Sequence, residues 1–295
     1  MYTTWTAGME HRGVGREFSG RGNLLKYYDC WDIWETLPRY GRPDPALVDA
    51  SWSVTRRTFD ALSPPTGHRF HKGEALPVDY INAEDFAFQT LGGLNPPKNK
   101  MCVMDFGAGM GRQVNIWSQR VSDLSWIAVD AIEMAYMAQR FHFSNVPDLP
   151  LVDYIDAPDS FEFDGRPAIR HLPTWRMDRI PENSVDLVLA VQVLPEIRED
   201  LVFWLLDRFG KILRPGGAIF IRDHDLHFLP GHAVDIEAEL AARGYVREYR
   251  AYAQDRVDLH GIPRLWRKPN PAMPRRPVDK VRKTEIEARY GRPDC

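Results

Sequence analysis

Cysteine is scarce in this chain of 295 residues: Cys30, Cys102 and Cys295 stand far apart and are odd in number. That argues against a disulfide framework and against a Cys-rich zinc site. No apolar run approaches the ~20 residues needed to span a bilayer. The first 21 residues are polar and glycine-rich, without an apolar signal core. A cytoplasmic protein with no membrane partner is expected. An excess of one charge is missing as well: 38 Lys and Arg face 41 Asp and Glu, a net charge of -3, which gives no general drive toward nucleic acid. No nucleic-acid partner is therefore expected. What the length does allow is a sizeable core, in one large domain or one domain plus a cap.

The most informative segment is Val103-Met104-Asp105-Phe106-Gly107-Ala108-Gly109-Met110-Gly111-Arg112-Gln113. It reads as a buried strand, a glycine turn and a helix start. Glycine is needed where a backbone turns sharply and must lie against a ligand with no Cβ in the way. A dinucleotide fingerprint fits poorly, because its third glycine belongs one position later, where Arg112 stands. Glycine pairs also close ordinary strand-to-helix turns, so the motif alone leaves that reading open.

At these residues the chain resembles the class I S-adenosylmethionine (SAM) dependent methyltransferases, whose first motif is an acid at a strand end followed by glycines at this spacing. The resemblance implies an α/β fold: a Rossmann-like class I methyltransferase sheet with helices on both faces, here with an N-terminal helical cap. It implies SAM as cofactor, with Gly107, Gly109 and Gly111 lining its amino-acid end and Asp105 accepting from its ammonium. Ser125 to Asp130 is a short apolar run ending in a carboxylate about 20 residues beyond the glycines, where such folds place an acid for ribose hydroxyls. Asp130 takes that role, with a helix N-cap near Ile132 as the competing reading. Asn183 to Glu196 resembles the family's fourth strand, and Leu213 to Ile221, with its Pro-Gly-Gly, the turn and strand after the next helix. Gln192, at the exit of that fourth strand, is a further cofactor-side candidate.

The sequence also departs from the family. Counting back from Asp186, the position where many members carry an acid for the adenine ring falls on Thr174, with Trp175 next. Thr174 could bond an adenine amine and Trp175 could stack on the ring, while a core Trp is an equally good reading of the latter. Residues 145–168 look like an insertion, made acidic by Asp148, Asp153, Asp156, Asp159, Glu162 and Asp164. Residues 98–268 are read as the SAM-binding core and residues 269–295 as a Pro-rich basic tail, its charge most simply a solvated one.

Residues 1–97 are read as an N-terminal extension and substrate cap. Leu24, Tyr28, Trp31, Glu35 and Leu37 fall mostly on one helical stripe. Asp44-Pro45 is a good cap and first position for a helix through Leu62, and a third helix is expected from Asn82 to Leu91. Gly92-Gly93 and Asn95-Pro96-Pro97 then end the segment. Tyr28 and Trp31, with Tyr27 and Trp34, are candidate walls of the acceptor pocket, ordinary packing being the competing reading. The hexapeptide Arg39 to Asp44 recurs as Arg289 to Asp294 with no wider repeat around it.

Methyl transfer from a sulfonium is an in-line displacement that needs alignment, exclusion of water and, for an alcohol acceptor, a base. Ligands of an open α/β sheet meet beyond the carboxyl ends of its strands. There the chain carries Glu196 and, after the next strand, Asp223-His224-Asp225-Leu226-His227. His224 is the preferred base, oriented by Asp223 or Asp225. A polar surface loop and a divalent-metal site for a vicinal diol are the competing readings; the metal is not favoured. The strand exit lacks the Asn/Asp-Pro-Pro-aromatic signature of related enzymes that methylate exocyclic or amide nitrogens, which leaves a small hydroxylated acceptor. A looser resemblance to sugar O-methyltransferases of natural-product pathways points the same way. Amine N-methylation, and a SAM-binding partner protein without catalysis, remain alternatives. Oligomeric state is not legible.

Overall fold

A computed structural model describes residues 43–66, 77–90, 100–223, 234–250 and 261–272. Its frame is one eight-stranded sheet. The strands are β1 (Met101–Phe106), β2 (Leu124–Asp130), β3 (Leu151–Asp153), β4 (Ala168–Pro173), β5 (Val185–Val191), β6 (Leu213–Asp223), β7 (Val246–Arg250) and β8 (Ile262–Arg267), in the order β3-β4-β2-β1-β5-β6-β8-β7. Pairings among the first six are parallel. β8 runs antiparallel to β6, and β7 antiparallel to β8. Leaving out β3, the order and the single reversed strand are those of the class I methyltransferase sheet. β3 lies within residues 145–168 and adds an edge strand beside β4.

Parallel strands covered on both faces must be apolar almost throughout, and β2 is buried at all seven positions. The alternation of side chains then fills two cores. On one face Val103, Trp126, Leu187, Leu189 and Phe220 pack with Val54, Phe86, Phe88 and Trp117. These last four come from α1 (Pro45–Thr66), α2 (Pro77–Gln89) and α3 (Val114–Arg120). On the other face Met104, Ile127, Val188, Ile219 and Ile221 pack with Val202, Leu205, Leu206, Phe209 and Leu240. A fourth helix, α4 (Glu133–Phe143), follows β2, and α5 (Glu199–Ile212) and α6 (Ile236–Ala242) flank β6. The apolar positions of α5 recur at helical spacing, Val202, Leu205, Leu206, Phe209 and Ile212, so one stripe of the helix faces the sheet.

The expected cap on α1 is present: the Ala46 N–H donates to Asp44 Oδ1 at 3.0 Å. The helix continues past Leu62 to Thr66. The third helix begins at Pro77 rather than Asn82 and stops at Gln89. Proline has its φ fixed for a first helical turn and loses no needed donor there, and Asp79 adds a carboxylate in that turn, so the start lies at Pro77. The stripe at Leu24 to Leu37, with Tyr28 and Trp31, lies outside the described residues. Among the described residues no helix is long and apolar enough to cross a membrane.

Candidate cofactor and acceptor site

Register places the carboxyl ends of the central strands side by side. Phe106 pairs with Val129, Asp130 with Pro173, and Val191 with Arg222, so Asp105, Asp130, Gln192 and Asp223 converge on one edge of the sheet. The chain leaves β1 through Gly107, whose N–H donates to Val129 O at 2.8 Å. Gly107, Gly109 and Gly111 all have positive φ, at 65°, 55° and 75°. Two of them are also closed to side chains by packing. A Cβ on Gly107 would lie 2.4 Å from Val193 Cγ2, and one on Gly111 2.6 Å from Phe143 Cε1. Gly109 differs: its nearest neighbour would be Gly107 O at 4.0 Å, so its backbone borders open space at the strand ends. Gly111→Ala should therefore cost roughly 1–3 kcal/mol through overpacking, read as a lowered urea midpoint; an unchanged midpoint would mean that Phe143 can move aside.

Asp105 sits at the mouth of this turn, 2% exposed. Its Oδ2 has no hydrogen-bond partner among the described residues. Burial, then the Asp130 charge, push its carboxyl up to about 8, against the pull of Arg112. A buried carboxyl with an unused acceptor is costly unless something cationic or donating fills the place. An ammonium of the kind SAM carries matches it.

Asp130 is engaged on every side. Oδ1 accepts from the Ala131 and Ile132 N–H groups at 2.8 and 3.0 Å. Oδ2 accepts from the Gly109 N–H at 3.2 Å and from Gln139 Nε2 at 2.7 Å. A carboxylate has about four acceptor sites, so Asp130 ties the end of β2 to the glycine turn and to α4, and a ribose would have to share or displace these donors. Burial still raises its pKa despite those bonds. α4 itself starts at Glu133, with Ile132 in the cap position and no side-chain cap bond there. Thr174 and Trp175, both half-buried, open the short 3-10 turn after β4, next to the Asp130 end of β2.

At the end of β5 Gln192 has φ 52°, a left-handed conformation that a non-glycine residue adopts only under constraint. Its N–H donates to Arg222 O at 2.8 Å. Asp223, at the end of β6, is 2% exposed. Its Oδ1 accepts from the Val193 N–H at 3.1 Å, while Oδ2 has no hydrogen-bond partner among the described residues. Burial holds its carboxyl well above the usual range, opposed by Arg264 and by the Val193 and Leu194 N–H groups. Glu196 stands at the rim, and partial burial raises its pKa as well. His224, Asp225 and His227 lie outside the described residues, as do Tyr28 and Trp31. Among the described residues no group of three His, Cys, Asp or Glu side chains is arranged to hold a metal ion.

The sequence reading missed a buried ionic cluster behind this site. Arg222 Nη2 lies 2.8 Å from Glu84 Oε1 and Arg222 Nη1 2.6 Å from Asp85 Oδ1, all three side chains fully buried. Asp85 Oδ2 also accepts from Gln113 Nε2 at 2.9 Å. Through these contacts α2 is fixed both to Gln113, the residue before α3, and to the end of β6. The one available signal was the count of polar residues on α2, which a helix facing solvent would show equally.

No family model matches the chain. Among curated proteins it is similar to the tRNA N(3)-cytidine methyltransferase METTL6 of Homo sapiens, 29% identical over 72 residues, which is 24% of this chain and 25% of that protein. The chain thus matches about a quarter of that relative's length. Among solved structures it is similar to a SAM dependent methyltransferase from Aquifex aeolicus, at 16% identity and TM-score 0.41 over 58% of this chain and 84% of that one. It is similar also to the [4+2]-cyclase SpnF, at 12% identity and TM-score 0.46 over 79% and 98%. The curated relative, named for a tRNA substrate, overturns the expectation that nucleic acid can be set aside as a partner. The low net charge behind that expectation speaks only to nonspecific attraction, whereas a base can be bound by contacts that need no large positive field. By its own strand order, reversed final strand and glycine turn, the chain has the fold of the class I SAM-dependent methyltransferases.

Proposed function

We propose that this protein transfers a methyl group from SAM. The observation that carries the reading is Asp105, a buried carboxyl with an unused acceptor atom beside a glycine whose backbone borders open space. In this reading Asp105 receives the ammonium of the cofactor, the Gly107 to Gly111 backbone lines its amino-acid end, Asp130 faces the ribose, Thr174 and Trp175 flank the adenine, and Gln192 lies toward the reacting methyl. The cofactor supplies a sulfonium methyl, and the chain supplies alignment, dryness and charge.

Two acceptor readings follow from different observations. The residues after β6 favour a hydroxyl of a small molecule, a sugar or glycosylated natural product among them, with His224 taking the proton as the methyl arrives, oriented by Asp223, and with Glu196 nearby. The curated relative's name favours a base nitrogen of RNA. A ring nitrogen attacks with its lone pair and becomes cationic, so it needs no base beforehand, and the carboxyl group of Glu196 beyond the strand ends would stabilise the developing charge.

The test is incorporation of labelled methyl from SAM into unmodified tRNA and, separately, into a panel of small hydroxylated and amine acceptors, with SAM binding measured by calorimetry. Binding without incorporation into either pool would favour a SAM-binding partner protein, and absence of binding would reject the reading. In the hydroxyl case, His224→Ala should lower kcat roughly 10²- to 10⁴-fold with SAM affinity intact. Chelator-sensitive activity restored by Mg²⁺ would move that role to a metal.

A further inference from the structure

Behind the glycine turn lies a buried chain of hydrogen bonds whose donors and acceptors can be assigned by elimination. Gln139 Nε2 lies 2.8 Å from Gly109 O and 2.7 Å from Asp130 Oδ2. The Gly109 carbonyl can only accept, so the amide must turn its NH₂ toward these two partners. Its Oε1 then faces His171 Nε2 at 2.9 Å, and that nitrogen must carry a hydrogen. The other ring nitrogen, Nδ1, faces Asp153 Oδ2 at 3.1 Å. This contact is attractive only with a proton between Nδ1 and Asp153; burial lowers the pKa of His171 against the pull of Asp153, and wherever that proton rests Nε2 keeps its own.

The surroundings lock this arrangement. Gln139 and His171 are fully buried and Asp153 is 5% exposed. The Tyr136 ring stacks on the His171 ring at 3.6 Å, and its hydroxyl donates to Asp153 Oδ1 at 2.8 Å. The Ile155 N–H donates to the same oxygen at 2.9 Å, and Arg140 Nη1 lies 3.7 Å from Oδ2. Asp156, paired with Arg140 at 2.8 Å, completes the charged groups around the pair. The other histidine on this side, His142, contrasts with it. There Thr58 Oγ1 reaches Nδ1 at 2.7 Å and Asn115 Oδ1 reaches Nε2 at 2.8 Å, a pairing satisfied by a neutral ring.

We propose that Gln139 is a positioning residue for the bound cofactor, its amide held in one orientation by the His171 Nε2–H and that tautomer in turn by Asp153 from the edge strand β3. The proposal rests on the reading of the glycine turn as the SAM site. Gln139 grips both sides of that site at once, the Gly109 carbonyl that shapes the turn and the Asp130 carboxylate at the ribose end. Its Cγ also lies 3.4 Å from where a Cβ of Gly111 would stand. The insertion thereby gains a purpose: it carries the carboxylate that fixes the tautomer, with His171, Gln139 and Asp130 standing between it and the cofactor.

The test combines SAM titrations with ¹⁵N NMR of the histidine side chains on the full chain. In the wild type the His171 ring should be protonated at Nε2, with or without SAM. Gln139→Leu and His171→Phe should each weaken SAM binding roughly 10- to 100-fold, since they strip a donor from a carboxylate or the donor that orients it. Asp153→Asn is the conservative rescue: its amide can donate to Nδ1, so Nε2–H survives and SAM affinity should stay within about threefold. A His171 ring bare at Nε2 would overturn the proposal even if the variants fail to fold. So would a folded Gln139→Leu protein that binds SAM like the wild type, and that outcome would leave the proposed function standing. A wild type that does not bind SAM would overturn both.

Discussion

Arg222→Leu should destabilise the protein by about 3–5 kcal/mol, the cost of breaking a buried ion pair from one side. The arginine holds two carboxylates at once, Glu84 at 2.8 Å and Asp85 at 2.6 Å, with no part of the three side chains exposed. Removing it leaves like charges facing each other in a dry interior, where neither can reach water. Set against a total stability of about 5–15 kcal/mol for a typical domain, this change alone brings the fold close to unfolding. Arg222→Lys should recover only part of the loss, because a single ammonium cannot fork between two carboxylates. Combining Arg222→Leu with Glu84→Leu and Asp85→Asn should recover most of it, since no buried charge is then left unpaired and the Asp85 position keeps an oxygen for Gln113. Urea midpoints of the variants decide the matter. A single Arg222→Leu variant as stable as the wild type would mean that solvent reaches Glu84 and Asp85.

The parts of this molecule that can be read from sequence are those in which local chemistry and tertiary role coincide. β1 and β2 are apolar runs that end at a glycine or a carboxylate, β5 is an apolar run that ends at Gln192, and the sheet uses all three as strands. The glycine turn was legible because three positive φ values leave few alternatives to glycine. Helix α2 shows where this coincidence fails. Asp79, Glu84, Asp85 and Gln89 are polar residues for which exposure is the ordinary expectation, yet all four are fully buried. Their partners lie far along the chain: Arg222 in β6 for Glu84 and Asp85, and Trp117 in α3, whose Nε1–H donates to Gln89 at 2.8 Å. Nothing within the helix announces those partners. His171 is a similar case, a buried histidine beside Arg170 in β4 whose partners, Gln139 and Asp153, are 32 and 18 residues away. Asp130 is instructive in another way, because the ribose and local-turn readings compete for the same oxygens, and the structure fills those oxygens with backbone and Gln139 donors.

Asp105→Asn should make the cofactor-free protein more stable above neutral pH and a poorer binder of SAM, two effects with one cause. In the folded chain burial, reinforced by the Asp130 charge, raises the Asp105 carboxyl from 3.8 to about 8. In the unfolded chain it ionises at its ordinary value. Between those two values the folded state holds a proton that the unfolded state has released, so stability falls as pH rises from about 4 to about 8 and levels off above that. Asparagine has no proton to lose and escapes the fall. Thermal melts across that range should show the variant gaining on the wild type with rising pH and ahead of it at the alkaline end. Binding reverses the advantage: the ammonium of SAM favours the ionised carboxylate, so near neutral pH the wild type should release nearly one proton as SAM binds. That release appears as a dependence of the calorimetric enthalpy on the ionisation enthalpy of the buffer. In Asp105→Asn it should vanish, and affinity should drop by roughly 1.5–3 kcal/mol, the value of a hydrogen bond to a charged group. A variant that binds SAM as tightly as the wild type, with the same proton release, would take the ammonium contact away from Asp105.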